Sequence, residues 1–363
     1  MKLGVLKEHN DKRVALVPQS LSKFKNLGID ILIEKGAGEG AMHQDEAYAE
    51  HATVTSREEI IKNADLLVSI DPISDEELKM VPKGRTIISQ FAPFHDKEIT
   101  GKLQELGLKG LSMDMIPRTT LAQAMDVLSS MASVAGYRAV LEAATYLPRF
   151  LPMMITAAGS IKPSKVLILG AGVAGLQSIA TAKRLGAQVE AFDTRLAAKE
   201  EVESLGAKFV EVEGAKDDTD AGGYAVEQTE EFLQRQRAEV QLRASKADIV
   251  ITTAQVRGRK APILVPKETI AKMKKGSVIV DLASSTGGNV EGSKDKEVVQ
   301  VNGVTIIGNS SLASKMPEDS SFLYSTNLLN FVTILIKEGE LVLDKENEII
   351  RGAWFTEPVE AEA

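Results

Sequence analysis

Apolar residues along this chain fall into short β-branched runs, separated by longer stretches in which they recur every three or four positions. The short runs predict strands over residues 3–7, 30–34, 66–70, 86–90, 110–112, 166–170, 188–192, 208–212, 249–253, 277–281 and 304–307. The longer stretches predict helices that include 18–27, 58–64, 99–106, 174–185 and 267–273. Alternation of this kind gives parallel sheets covered by helices on both faces. It occurs twice, before and after the middle of the chain, so the expected fold is α/β with two doubly wound, Rossmann-like domains.

Residues 121–147 carry one long helical pattern with no proline before Pro148, and 325–337 carry a second. Two long helices joining the domains make the first of them discontinuous. The expected division is 1–127 with 313–363 for the first domain and 128–312 for the second, a single insert that holds the dinucleotide motif described below. The tail 357–363 is acidic, built of small residues, and expected to lie outside any core.

Composition narrows the function. At 363 residues, with 44% hydrophobic and 26% charged positions, the chain has the make-up of a folded globular protein larger than one ordinary core. A net charge of −8 argues against a nucleic-acid surface. There are no cysteines, which excludes disulfides, thiolate metal sites and a cysteine nucleophile. The four histidines (His9, His43, His51, His95) stand far apart, so no metal site is expected. The amino terminus reads as a strand without a signal-peptide core, and the longest apolar run, 328–336, contains Asn330 and is half the length of a membrane span. A cytoplasmic location is expected, which leaves open docking on a membrane-bound partner.

The chemistry begins at Val166-Leu-Ile-Leu-Gly170-Ala-Gly172-Val173-Ala174-Gly175. The pattern G-x-G-x-x-G alone is weak, but here it follows an apolar strand and opens a helix, as a dinucleotide turn requires. Gly170 suits the tight turn, Gly172 the approach of a pyrophosphate, and Gly175 the packing of helix on strand. The helix amino terminus adds free N–H groups and a positive dipole end. Eighteen residues after Gly175, at the end of the next strand, stands Asp193. An acid there accepts hydrogen bonds from the adenosine ribose and repels a 2′-phosphate, which favours NAD(H) over NADP(H), while Arg195 two residues on works against that preference.

Further strand ends supply candidates around the ligand, among them Thr252-Thr253-Ala254-Gln255 and the run from Asp281 to Gly288. The acidic, glycine-rich stretch Asp217-Asp-Thr-Asp-Ala-Gly-Gly223-Tyr224 reads either as a mobile loop with Tyr224 as its lid or as a solvated insertion. In the first domain, Arg118, Gln123, Asp126 and Ser129 crowd polar groups into the start of the long helix. Asp126 and Ser129 share a helical face, which suits either a functional site or helix capping.

These motifs together resemble domain I of proton-translocating nicotinamide nucleotide transhydrogenase. The likeness is carried by Pro117-Arg118, by Ala122-Gln123-Ala-Met-Asp126-Val-Leu-Ser129 and by Ala135-Gly136-Tyr137. It continues through 170–175 with Asp193-Thr194-Arg195, Gly222-Gly223-Tyr224-Ala225, Asp281-Leu-Ala with Gly287-Gly288-Asn289, and Asn327-Leu-Leu-Asn-Phe331. It runs over nearly the whole chain.

The resemblance implies that the chain binds NAD(H) and exchanges hydride with NADP(H) on a separate domain III. A membrane domain II couples this to proton movement, and the chain is a homodimer, peripheral at the inner membrane through its partner subunits. It further implies that Arg118, Gln123 and Asp126 form the loop that meets the nicotinamide, that Ser129 contacts that ring, and that Tyr224 belongs to the mobile loop. The absence of a membrane segment resembles the forms in which domain I is a separate polypeptide.

The alternative is an alanine dehydrogenase-like amino-acid oxidoreductase, which shares the fold. Asn10-Asp-Lys-Arg13-Val-Ala-Leu-Val-Pro18 resembles both families, including the dehydrogenase's substrate-binding arginine. The dehydrogenase's lysine is missing from Val68-Ser69-Ile70-Asp71, its histidine from Gln90-Phe91-Ala92, and its aspartate from about Ser285. His95 lies too far along to substitute and reads as a loop residue.

Overall fold

The computed structural model describes residues 1–212, 229–256 and 258–356. The chain forms two compact units, Met1–Met131 with Ser314–Ala363, and Ala132–Ala313.

The first unit is built on a six-stranded parallel sheet of β1 (Lys2–Val5), β2 (Asp30–Glu34), β3 (Ala52–Thr55), β4 (Leu66–Val68), β5 (Thr86–Ser89) and β6 (Lys109–Ser112), in the order β3-β2-β1-β4-β5-β6. Helices α1 (Pro18–Asn26), α2 (Arg57–Asn63), α3 (Asp75–Met80) and α4 (Ile99–Glu105) connect the strands. Every residue of β4 and β5 is buried, as expected where helices cover both faces of a parallel sheet. Local signals start the helices: Pro18 opens α1, the Ser56 side chain accepts from Glu59 N at α2, and Ser74 with Glu77 forms a capping box on α3. A side chain on Gly4 would collide with Ile60 and Ala64, so this glycine sets how closely α2 lies on β1.

The long helical pattern beginning at 121 is broken in the structure. Residues Thr120–Met125 form a tight 3-10 turn, and α5 (Val127–Tyr146) starts only after Asp126. The physical reason is Asp126 itself: its carboxylate accepts from Ser129 N at 2.9 Å and from the Ser129 hydroxyl at 2.6 Å, an N-cap that fixes the start of the helix.

The second unit carries a hairpin of β7 (Met154–Thr156) and β8 (Gly159–Ile161), then a seven-stranded sheet. The sheet strands are β9 (Lys165–Leu169), β10 (Gln188–Phe192), β11 (Lys208–Phe209), β12 (Ile249–Thr252), β13 (Val278–Asp281), β14 (Glu297–Val301) and β15 (Val304–Gly308). Their order is β11-β10-β9-β12-β13-β15-β14, parallel except where β14 closes the edge antiparallel to β15. Helices α6 (Val173–Arg184), α7 (Ala198–Ser204), α8 (Glu230–Lys246) and α9 (Lys267–Ile270) complete it among the described residues. The strand order reverses between β9 and β12, the position at which open α/β sheets hold their ligands.

The chain then returns to the first unit. There α10 (Pro317–Leu335) inserts Tyr324, Leu328, Phe331, Val332 and Leu335 into the core built on β1, β2 and β4, and α11 (Glu348–Ala353) follows. Serines tie α10 to the segment after β1: Ser321 Oγ accepts from Val14 N at 2.9 Å.

Within the second unit, α5 meets the amino end of α6 through bare backbone. A Cβ on Gly136 would overlap the carbonyl of Ala174, and the Ser178 hydroxyl donates to Gly136 O at 2.9 Å. Gly136→Ala is therefore expected to force the two helices apart and destabilise the protein by about 1–3 kcal/mol. Urea denaturation checks this, and an unchanged midpoint would show that α5 is not held in this way.

Candidate functional site

The turn from β9 into α6 is shaped by its three glycines, each differently. Gly170 has φ +104°, a conformation that favours glycine, and a Cβ there would strike Thr253 Oγ1. The Thr253 hydroxyl donates to Gly170 O at 3.1 Å, pinning the turn from β12. Gly175 is buried, with no room for a Cβ beside the Gly170 carbonyl. Gly172 is the opposite case: it is exposed, and a Cβ would meet no atom within 4 Å. No side chain caps α6, so its first N–H groups, among Val173, Ala174 and their neighbours, lack an intrahelical partner and point where an anion is stabilised.

Asp193 lies beside this turn at the end of β10, and its carboxylate is fully engaged. One oxygen accepts from Ala171 N at 2.7 Å and from Arg195 Nη2 at 3.1 Å. The other accepts from Arg195 N at 2.9 Å and Arg195 Nε at 3.0 Å. Four donors fill the acceptor capacity of a carboxylate. A ribose diol placed here would compete with the Arg195 guanidinium for this group. Thr194, between them, is exposed.

The residues after β12 are organised by Asn289. Its side chain accepts from Ala254 N at 3.0 Å and donates to Ala254 O at 2.9 Å and to Pro262 O at 2.8 Å. Asp281, fully buried, in turn accepts from Asn289 N at 3.0 Å and from the Thr252 hydroxyl at 3.1 Å. Gln255 is exposed, with its amide donating to Leu282 O at 3.1 Å. Asn289 thus supports the 253–255 segment as a positioning group, a role its place in a Gly-Gly-Asn run does not disclose. Gly223 and Tyr224, with the rest of the acidic loop, lie outside the described residues.

In the first unit, Arg118 and Gln123 are exposed on the segment leading into α5, and Leu121 between them is 77% exposed. Asp126 and Ser129 are brought together by the cap described above. An uncapped helix end beside open glycine backbone, with a carboxylate at the end of the next strand, fits a dinucleotide pyrophosphate and ribose. Among the described residues, no group of three or more His, Asp or Glu is placed to hold a metal ion.

The first unit has its own sheet reversal, between β1 and β4, a position at which open α/β sheets can hold a ligand. That position is filled by acid. Glu8, buried, accepts from Ile70 N at 2.6 Å and Asp71 N at 3.1 Å. Arg13, the residue a substrate carboxylate would need, is clamped by Asp11 through Nη2 at 2.6 Å and Nε at 3.0 Å. His95 is exposed in the loop after β5.

Residues 4–135 match the alanine dehydrogenase/PNT N-terminal domain and residues 139–359 the C-terminal domain of the same group. An NAD(P) transhydrogenase alpha-subunit polypeptide of Rickettsia prowazekii is 43% identical, over 98% of this chain and 94% of its own length. The chain belongs to the NAD(P) transhydrogenase alpha-subunit family. The crystal structure of a transhydrogenase from Sinorhizobium meliloti superimposes with a TM-score of 0.90 at 41% identity, covering 97% of both chains. Alanine dehydrogenase of Mycolicibacterium smegmatis is more distant, at 26% identity over 93% of this chain and 88% of its own.

Two outcomes follow from these contacts. Arg195→Ala frees two acceptor positions on Asp193 and removes a cation from beside it. It is expected to leave NADH binding as tight or tighter and to weaken NADPH, widening the preference several-fold, on the order of 1 kcal/mol. Titration calorimetry with both nucleotides measures this, and an unchanged ratio would refute it.

Burial raises Glu8 from the usual 4.5 to about 7, against the two backbone donors and with the repulsion of Asp71 and Asp11 adding to the rise. Between those pH values the folded state binds more protons than the unfolded chain, so Glu8 costs stability as pH rises through them. Glu8→Gln is expected to gain stability over the wild type between about pH 5 and pH 8, by at most about 3 kcal/mol. Parallel curves of unfolding free energy against pH would rule this out.

Proposed function

We propose that the chain is the NAD(H)-binding component of a proton-translocating transhydrogenase, active in hydride exchange only together with a component that holds NADP(H). It belongs to the Re/Si-specific NAD(P)+ transhydrogenase class. The observation that carries the reading is the uncapped start of α6 beside open Gly172, with Asp193 at the end of the adjacent strand. Bound there, NAD(H) supplies the hydride or receives it. The backbone at 170–175 holds the pyrophosphate, Asp193 selects the unphosphorylated ribose, and Thr194, Arg195, Thr253, Ala254 and Gln255 border the nucleotide. Gly223 and Tyr224 are assigned to nucleotide binding on the strength of the family resemblance alone.

Arg118, Gln123, Asp126 and Ser129 are assigned to the nicotinamide end of the reaction, again from the resemblance. Asp126 serves there by fixing Ser129 and the start of α5. Hydride passing between two nicotinamides moves no proton at the reacting carbons, so no general acid or base is required. What the protein contributes is orientation and exclusion of water. Amide, hydroxyl and guanidinium groups suit that task, whereas Glu8 and the Asp11-bound Arg13 suit poorly the capture of an amino-acid carboxylate.

A homodimer is supported by the hairpin β7–β8. All six of its strand residues are exposed, among them Ile155 at 73%, and Met153 beside it is 61% exposed. A two-stranded hairpin with an apolar surface is marginal in water and gains stability from a second surface. Among the described residues no helix is long and apolar enough to cross a membrane. Membrane association, at the cytoplasmic face of an inner membrane, is accordingly assigned to the partner components.

The test is made on the purified chain. NADH should bind, seen by fluorescence, and remain unconsumed when pyruvate and ammonia are added. NADP+ reduction should appear only when an NADP(H)-binding transhydrogenase component is supplied, and light scattering should give a dimer that Ile155→Asp weakens. Oxidation of NADH by the chain alone at an enzymatic rate would overturn the reading in favour of an amino-acid dehydrogenase.

A further inference from the structure

The turn Thr120–Met125 is a short 3-10 helix that buries little of its own surface. Leu121, Gln123 and Ala124 are exposed, and only Ala122 and Met125 are buried. Beyond the bonds within the 3-10 turn itself, Ala122 N donates to Thr119 O at 3.1 Å and Asp126 N to Gln123 O at 3.3 Å. The carbonyl of Ala124, next to Gln123, is instead gripped from α10. Asn327 Nδ2 donates to it at 2.9 Å and Asn330 Nδ2 at 3.3 Å, two residues three apart on one helical face. Asn330 is itself steadied by donating to Thr326 O at 2.8 Å.

A second observation separates this from ordinary packing. Asn327 is buried, yet its Oδ1 has no hydrogen-bond partner, and the same is true of Thr119 Oγ1 at the start of the turn. These are two of the three such buried side-chain atoms among the described residues. Buried polar groups are paired in the great majority of cases, and an orphaned acceptor is a standing cost. The orphaned oxygen leaves the amide engaged through its donor side only. Its N–H is the part that works, and what it works on is the turn carrying Gln123.

We propose that Asn327, seconded by Asn330, is a positioning residue that holds the Gln123 turn in the conformation used for hydride transfer. This rests on the functional reading given above. It adds the assignment of a buried residue on α10, far from Gln123 in sequence, to the control of the reaction rate.

The test compares wild type with Asn327→Leu, Asn327→Asp and Asn330→Ala, each with an NADP(H)-binding transhydrogenase component. Leucine removes the orphaned oxygen and the donor together, while aspartate keeps the shape and loses the donor. The expected result for Asn327→Leu is a melting temperature no lower than wild type and an NADH affinity within about twofold. Its single-turnover hydride transfer should be slower by roughly 10- to 100-fold, the effect of a small misplacement at the reacting centre. Asn327→Asp should slow transfer similarly, and Asn330→Ala, at a less buried position, less. Amide hydrogen exchange should rise over residues 118–126 in all three, with the nucleotide turn unaffected.

Transfer within about twofold of wild type in both Asn327 variants, or unchanged exchange over the turn, would overturn the proposal. Should Asn327→Leu fail to fold, Asn327→Asp and Asn330→Ala decide by the same two readouts. If the wild type itself transfers no hydride with the partner, the functional reading fails and this inference falls with it.

Discussion

Two carbonyl oxygens set the architecture of the nucleotide-binding unit. The Gly170 oxygen lies where Gly175 would carry its Cβ, and the Ala174 oxygen lies where Gly136 would carry its own. Strand β9, helix α6 and helix α5 are thereby stacked backbone to backbone, closer than any side chain permits. The first contact aims the uncapped end of α6 past the strand. The second fixes that end against a long helix through a serine hydroxyl. The open space at Gly172 has meaning only because its neighbours in the motif are held so tightly. Close-packed interiors transmit such a constraint rather than absorb it.

The carboxylates at the strand ends follow a second rule, that a buried charge must be fully partnered. Asp281 takes backbone and hydroxyl donors and thereby orders the loop holding Asn289. Asp248 receives Lys165 N, Arg149 and Lys274 at the opposite end of the sheet. Asp11 occupies Arg13, and Asp193 is occupied by Arg195. In the first unit the same rule pairs Arg13 with Asp11 and gives the buried Glu8 two backbone donors beside the β1–β4 reversal.

Much of this was legible in the chain. Strands such as β2 and β10 stand where the sequence places them, because buried apolar positions alternate there with more exposed ones, the period-two signature of a strand. The Gly-rich turn declared itself through its context. Elements with weak apolar patterns did not: β3, Ala-Thr-Val-Thr at a sheet edge, is half-exposed, and α8 buries only Phe232, Val240 and Ala244 in 17 residues. The break at Asp126 was hidden because a capping acid and a helical acid look alike until the Ser129 contacts are known. The saturation of Asp193 and the grip of Asn327 on Ala124 were beyond reading, since each depends on which of several possible donors the fold delivers.

The pairing of Asp193 with Arg195 also bears on turnover. On the proposed function, a carboxylate that loses a ribose hydroxyl would regain a guanidinium, so nucleotide arrival and departure would exchange one set of donors for another. Exchange of this kind narrows the free-energy gap between the loaded and empty forms. Because a partly exposed side chain changes rotamer within picoseconds to nanoseconds, it does so without slowing association. If the chain releases a nucleotide after every transfer, as the proposed function requires, it would gain from shallow binding, and the arginine beside Asp193 would supply a built-in means of departure.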